Sequence, residues 1–381
     1  MMKVRVFNFL SQGLLAFLPA LMIAVLSRED LSIAAEMSFG FAVIGVTISM
    51  AYLGMRPYVS LNGFLTNSKG GDIYFRFINI IFASCLVLLM MYYMERLTWV
   101  IYFALLLKFS EACIDLKNGF DFNEFGVEVA SLALFKGSII RALLLFSFFI
   151  FTASEIGERY PFLMLGALFT LIVFFLKLKG STKVMYMRKV EFIDAYKKVV
   201  FFSLATVICS ILSVIPRFVL PVEIAENQVM LVALSISPLL GVLFQSVWLS
   251  SMHKLKKGRV AYFVFFIELI LIVLLVWIFK PLWVKLIPVI YGINDKYLID
   301  VFADIIISIS IFFAGMTMMN IYKYYFAWFE AVMYFVSIMV FLILFYIFSV
   351  NLVDCLVISG CAMMVSYIAY CCSQFYNSLR G

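Results

Sequence analysis

Of the chain's 381 residues, 65% are hydrophobic and 13% charged, with a mean hydropathy of +1.10. No polar stretch is left that could fold into a separate soluble catalytic domain, which excludes most enzyme classes and places the activity in or across a membrane. The net charge of +7 does not point to nucleic acid, because the basic residues concentrate at 177–198 and 254–259, beside apolar runs, where topology and anionic headgroups call for them.

A membrane helix needs ~20 mostly apolar residues. In chain order, runs of that kind lie at 6–26, 37–55, 77–94, 98–116, 134–153, 160–178, 199–219, 228–250, 260–279, 301–320, 329–350 and 353–372. The first follows Lys3 and Arg5 and has the outline of a signal peptide. It is too long, however, lacks a small-x-small cleavage site, and reads as a retained first helix. Pro19 and Ser237-Pro238 fall within apolar runs, where a missing backbone donor permits a kink, although membrane helices commonly carry proline. Arg56 and Arg76 flank the connection after the second run and read as topology determinants or headgroup contacts.

The fourth run carries the polar residues of most interest. Lys108, Glu111 and Asp115 are spaced by three and four, which sets them within about a 60° arc of one helix face. Each charge inside hydrocarbon costs several kcal/mol (~2.5–3.5 on insertion scales) unless it is paired or wetted. Entering near Thr98, the helix brings Lys108 close to the bilayer centre, Glu111 one turn nearer the cytoplasm, and Asp115 near that surface. In the fifth run Arg141 is deep, whereas Lys136 lies near enough to the cytoplasm to snorkel. The two are five positions apart, about 140° around the helix, so both cannot point into one site. Lys108, Arg141, Lys136 and Glu111 are therefore candidate contacts for an anionic substrate. The competing reading of Lys108–Glu111 is an ion pair that only fixes packing. Glu268, about eight residues into the ninth run, joins Glu111 and Asp115 as a candidate for coupling to H+ or Na+. Arg217, next to Pro216 at the end of the seventh run, reads as an anchor.

Lys and Arg crowd one set of connections, while the opposite set carries only Arg28, Arg96, Arg159, Arg217, Lys280, Lys285 and Lys296. By the positive-inside rule both termini face the cytoplasm, which requires an even number of crossings. The long basic connection then divides an all-α integral membrane protein of about 12 transmembrane helices into two six-helix bundles: residues 1–180, a cytoplasmic linker at 181–198, and 199–381. Such a division suits a transporter working by alternating access. The seven cysteines lie in or beside apolar runs and the single histidine, His253, in a basic connection. Neither a disulfide framework nor a metal site is expected, and no cofactor. The longest connection on the exported side, 280–300, holds Trp283, Tyr291 and Tyr297, which suit an interfacial belt. It is too short for the catalytic loop of a membrane-embedded polymerase or glycosyltransferase, the first rival reading.

Four short motifs carry a resemblance: Tyr52-Leu53-Gly54-Met55-Arg56, the Lys108…Glu111…Asp115…Gly119 run, Ile215-Pro216-Arg217-Phe218, and Leu286-Ile287-Pro288-Val289-Ile290-Tyr291-Gly292. With the layout of the whole chain, they resemble O-antigen and polysaccharide flippases of the Wzx type, within the multidrug/oligosaccharidyl-lipid/polysaccharide exporter superfamily. The resemblance implies a MATE-like fold and a substrate, an undecaprenyl-diphosphate-linked oligosaccharide, flipped outward across the bacterial inner membrane for polysaccharide or lipopolysaccharide biosynthesis. It implies as partners the membrane lipids and, in the same pathway, a polysaccharide polymerase and a chain-length regulator. The second rival is a cation-coupled drug exporter of the same superfamily; deep Lys108 and Arg141 weigh against it.

Overall fold

The computed structural model describes residues 2–52, 65–66, 68–93, 98–150, 156–179, 189–221, 224–255, 260–320 and 327–380. Leu53 to Arg56 of the first motif and residues 180–188 of the basic connection lie outside them.

Every described element is a helix. They are α1 (Met2–Glu29), α2 (Leu31–Tyr52), α3 (Lys69–Tyr93), a long helix Trp99–Ile150 of two arms, α4 (99–125) and α5 (127–150), then α6 (Ile156–Lys179) and α7 (Lys189–Phe218). There follow α8 (Ala225–Leu234), α9 (Ser237–Leu255), α10 (Val260–Ile278), α11 (Lys280–Tyr291), α12 (Lys296–Met319), α13 (Ala327–Leu342) with a π-turn at Ile343–Ile347, and α14 (Leu352–Arg380). In hydrocarbon every backbone polar group needs an internal partner, which helices supply within one segment. Among the described residues, five stretches are long and apolar enough to cross a membrane by themselves: Lys69–Tyr93, Ala225–Trp248, Ala261–Ile278, Lys296–Met319 and Leu352–Ser373. The α10 stretch buries least, with Phe263, Leu271, Trp277 and Ile278 all exposed, as a lipid-facing helix requires.

Local chemistry sets the breaks. Asp30 Oδ1 accepts from the Ser32 and Ile33 amides at 2.8 and 3.3 Å and so starts α2, and Asp295 accepts from the Leu298 amide at 3.0 Å to start α12. Gly126, at φ 81° and ψ 175°, turns the chain between α4 and α5, a conformation open to glycine because it has no Cβ. The expected span at 228–250 is two helices, α8 and α9, with Ser235 and Ile236 between them and Pro238 in the first turn of the second. Helix α3 begins at Lys69 rather than near 77. Its first-turn Asp72 is fully buried and accepts from the Leu65 and Thr66 amides at 2.9 and 2.6 Å. That polar start extends the helix beyond the apolar run and carries Arg76 inside it.

Two compact units result: Met1–Leu18 with Phe39–Ser210, and Pro19–Ser38 with Ile211–Gly381. Relative to halves divided at 181–198, the segment Pro19–Ser38 groups with the second unit and the start of α7 with the first. In the first unit Ile73 and Phe75 of α3 pack with Ile114, Leu116 and Phe120 of α4, Leu134 of α5 and Phe174 of α6. Tyr196 of α7 sits edge-on to Phe75 at 5.1 Å and donates its hydroxyl to Asn79. In the second unit α12 is the central helix and meets α14 with almost no side chain between. A Cβ on Gly315 would lie 2.6 Å from the Gly360 oxygen, and one on Gly360 would lie 2.9 Å from Ile311 and Phe312 backbone atoms. Small residues let two backbones approach so closely in a membrane. In the same unit Ser27 donates to the Tyr291 carbonyl at 3.0 Å and Ser38 to that of Leu231 at 2.6 Å, which ties the α1–α2 corner to α11 and α8.

Candidate functional site: a charged group within the first unit

The site is built on the α4–α5 pair. On α4 the i,i+3 spacing brings Lys108 Nζ to Glu111 Oε2 at 2.5 Å. The reversal at Gly126 then returns α5 alongside, and Arg141 Nη2 reaches Glu111 Oε1 at 2.9 Å and the Leu107 carbonyl at 3.5 Å. One carboxylate thus holds two cations, one through each oxygen. The Arg141 side chain is 1% exposed, Glu111 14% and Lys108 23%. The guanidinium Nε and Nη1 are buried and make no hydrogen bond. Leaving donors unmade in a buried site is costly, and the group carries one more positive charge than negative.

One turn further along α4, Asp115 Oδ2 pairs with Arg76 Nη2 of α3 at 3.1 Å. Arg76 is 1% exposed, which corrects its reading as a topology determinant or headgroup contact: the earlier start of α3 takes it into the core. This pair is neutral and adds no charge to the Glu111 group. Asp115, a coupling candidate by sequence, is engaged with Arg76 here.

Lys136 does not join the group. It is exposed, and lines a separate cleft with Lys117 and Lys177, in keeping with the angle between it and Arg141 around α5. Glu268 is half-buried on α10, in the other unit. Arg217 is also more than an interfacial anchor. It is buried and donates to the Leu234 carbonyl and, at 2.8 Å, to Ser237 Oγ. It thereby caps the carbonyl end of α8 at the break before α9, where a cation is favoured by the helix dipole. Tyr291, in the motif ending at Gly292, is buried, and burial pushes its phenol up to about 12. None of the seven cysteines is in a disulfide, and among the described residues no three His, Cys, Asp or Glu gather as metal ligands do.

Arg76 and Arg217 escaped sequence reasoning because both stand at the ends of apolar runs. The signal available for Arg76 was the polar Lys69-Gly70-Gly71-Asp72 stretch before it, which reads as a helix start with an acidic first turn.

No family model and no curated protein matches the chain. Solved structures do. The chain is similar to a multidrug resistance MATE family transporter of the MOP superfamily in an outward-facing conformation, with 14% identity, a TM-score of 0.55, and 99% of this chain and 95% of that one covered. It is similar to MATE in complex with MaD3S at 13% identity and a TM-score of 0.57, covering 100% and 96%. It is also similar to the eukaryotic MATE transporter AtDTX14 at 12% identity and a TM-score of 0.55, covering 96% and 93%. The chain is therefore a multi-pass, all-helical membrane protein with the fold of the MATE transporters of the MOP superfamily.

Proposed function

We propose that this protein is a non-enzymatic flippase that moves an undecaprenyl-diphosphate-linked oligosaccharide, such as an O-antigen repeat unit, across the bacterial inner membrane by alternating access. The observation that carries this reading is the Lys108–Glu111–Arg141 group: two cations on one carboxylate, a surplus positive charge, and buried guanidinium donors without partners. A diphosphate cannot cross hydrocarbon bare. Arg141 offers a planar fork for its oxygens and Lys108 a mobile point charge. Glu111 holds both cations while no substrate is bound and releases them to the arriving anion. The lipid tail stays in the bilayer, so only the headgroup needs the site. An inside-negative potential favours outward movement of an anion by ~2.3 kcal/mol per charge per 100 mV. Coupling to H+ or Na+ through Glu111 or Glu268 is the alternative source of drive.

The test is genetic. Deleting the gene makes complete lipid-linked units accumulate on the cytoplasmic face, whereas unpolymerised units accumulating on the exported face would assign a polymerase instead. Lys108→Ala and Arg141→Ala each abolish surface polysaccharide at unchanged protein abundance; normal polysaccharide in either retires the assignment of that residue.

A second reading, a cation-coupled multidrug exporter, is favoured by one observation, the fold shared with MATE transporters. It requires an acid free to bind a cation. Glu111 already holds two, which counts against it in that role.

A further inference from the structure

In the first unit, α4, α5 and α6 line a cleft of about 340 Å³, within the ~300–1,000 Å³ range of small-molecule sites. Its charged lining is Lys117, Lys136, Lys177 and Asp121, three ammonium groups against one carboxylate. Asp121 is buried and occupied by Lys117, its i,i+4 neighbour. Lys177 lies over the Phe174 ring at 5.2 Å, and Lys136 makes no hydrogen bond or ion pair among the described residues. Among the described residues, Lys136 and Lys177 thus face the cleft with no acid paired to them.

The surface beyond it is apolar and exposed. Along α5, Lys136, Ile140 and Leu143 follow at i, i+4 and i+7 and share one helix face, with Ile140 37% and Leu143 63% exposed. On α6, Lys177 is followed toward the helix start by exposed Leu176, Ile172 and Phe169. Both helices therefore present a basic end and then an apolar strip, in the order in which a leaflet lipid presents headgroup and acyl chain. Arg141 lies on another side of α5 and is buried, so this cleft is distinct from the Glu111 group.

We infer that the Lys117–Lys136–Lys177 cleft binds the phosphate of an anionic phospholipid resident in the leaflet that the Lys and Arg distribution assigns to the cytoplasm. Lys136 and Lys177 contact the headgroup, while Ile140 and Leu143 carry an acyl chain. A zwitterionic lipid brings its own ammonium against the two unpaired lysines, so the cleft discriminates by net headgroup charge. The inference goes beyond the flippase reading and does not depend on it. Binding here is indifferent to substitutions at Lys108 or Arg141.

Native mass spectrometry of the purified full-length chain, titrated with dioleoylphosphatidylglycerol, tests it. The wild type retains one phosphatidylglycerol saturably and dioleoylphosphatidylcholine more weakly. At about one factor of five per lysine, Lys136→Gln or Lys177→Gln weakens retention about five-fold and the double substitution about twenty-five-fold. Lys285→Gln, which removes the same charge from an exposed site in the other unit, leaves it unchanged. Both cleft lysines are exposed, so the variants unfold at the wild-type temperature in lipid-free detergent. Equal retention of phosphatidylglycerol by the double variant overturns the inference, as does equal retention of phosphatidylcholine by the wild type. Inorganic pyrophosphate displacing the lipid at equal concentration identifies a phosphate site without lipid specificity, and retention of an undecaprenyl diphosphate lipid in preference to phosphatidylglycerol identifies a carrier site; each overturns it too.

Discussion

Replacing Glu111 with glutamine separates packing from function, because the two predict different accompaniments to one loss of stability. The substitution keeps the shape and removes the charge that Lys108 and Arg141 share at 2.5 and 2.9 Å. Coulomb attraction between unit charges about 3 Å apart is on the order of 5 kcal/mol at an effective dielectric near 20. Water recovers part of that for Lys108, which is 23% exposed, but little for Arg141 at 1%. Stranding the buried guanidinium therefore dominates, and we expect a loss of about 3 kcal/mol, the lower end of the range for breaking a buried pair. Chemical unfolding of the purified protein in detergent measures it. The double variant Glu111→Gln/Arg141→Gln recovers much of the loss, since neighbours that share one interaction are not additive. Meanwhile the surplus charge at the site rises by one, so inorganic pyrophosphate binds about five-fold more tightly, worth ~1 kcal/mol at a hydrated contact. Wild-type stability in Glu111→Gln refutes the ion-pair energetics. Lost stability with unchanged pyrophosphate affinity means that the group only locks helices, and refutes the functional reading.

Other substitutions probe the frame around the site. Arg76→Ala removes the buried guanidinium that pairs with Asp115 and empties a buried position, and lowers stability by about 3–5 kcal/mol in the same unfolding assay; Lys197→Ala, whose pair with Asp194 spans 3.8 Å and is mostly exposed, changes it by less than about 0.5 kcal/mol. Gly360→Ala forces a methyl against α12 backbone and costs about 1–3 kcal/mol, whereas Gly13→Ala, with open space at its Cβ, is tolerated. Arg217→Leu leaves the Leu234 carbonyl at the α8–α9 break without its donor, costing about 1–3 kcal/mol, and faster amide exchange in 235–240 reports the loss.

The bilayer explains how much of this was legible. Hydropathy over ~20 residues finds the spans because hydrocarbon demands apolar side chains along a whole span, but it missed α11, which fills most of the expected connection 280–300, and read α8 and α9 as one run. Boundaries were less legible where a helix extends into polar sequence. Asp72 capping the start of α3 lies outside the apolar run, so Arg76 read as a surface residue. The break at Ser235–Ile236 was visible only as a proline within a run, since an apolar sequence reads alike on either side of a turn. Within the site, the Lys108–Glu111 contact follows from spacing on one helix. Arg141 has no acid within a turn of itself, and its partner lies 30 residues back. Only the reversal at Gly126 brings them together, and no local period encodes that. The separation of Lys136 from Arg141, by contrast, was readable from the angle between them.

Reconstitution tests the central claim most directly: purified protein in liposomes, with a fluorescent undecaprenyl-diphosphate oligosaccharide in one leaflet and a quencher added outside. The wild type transfers the lipid between leaflets and Arg141→Gln does not, although both insert equally. Equal transfer by the two proteins contradicts the account, as does a wild type that leaves the lipid in place while exporting an organic cation.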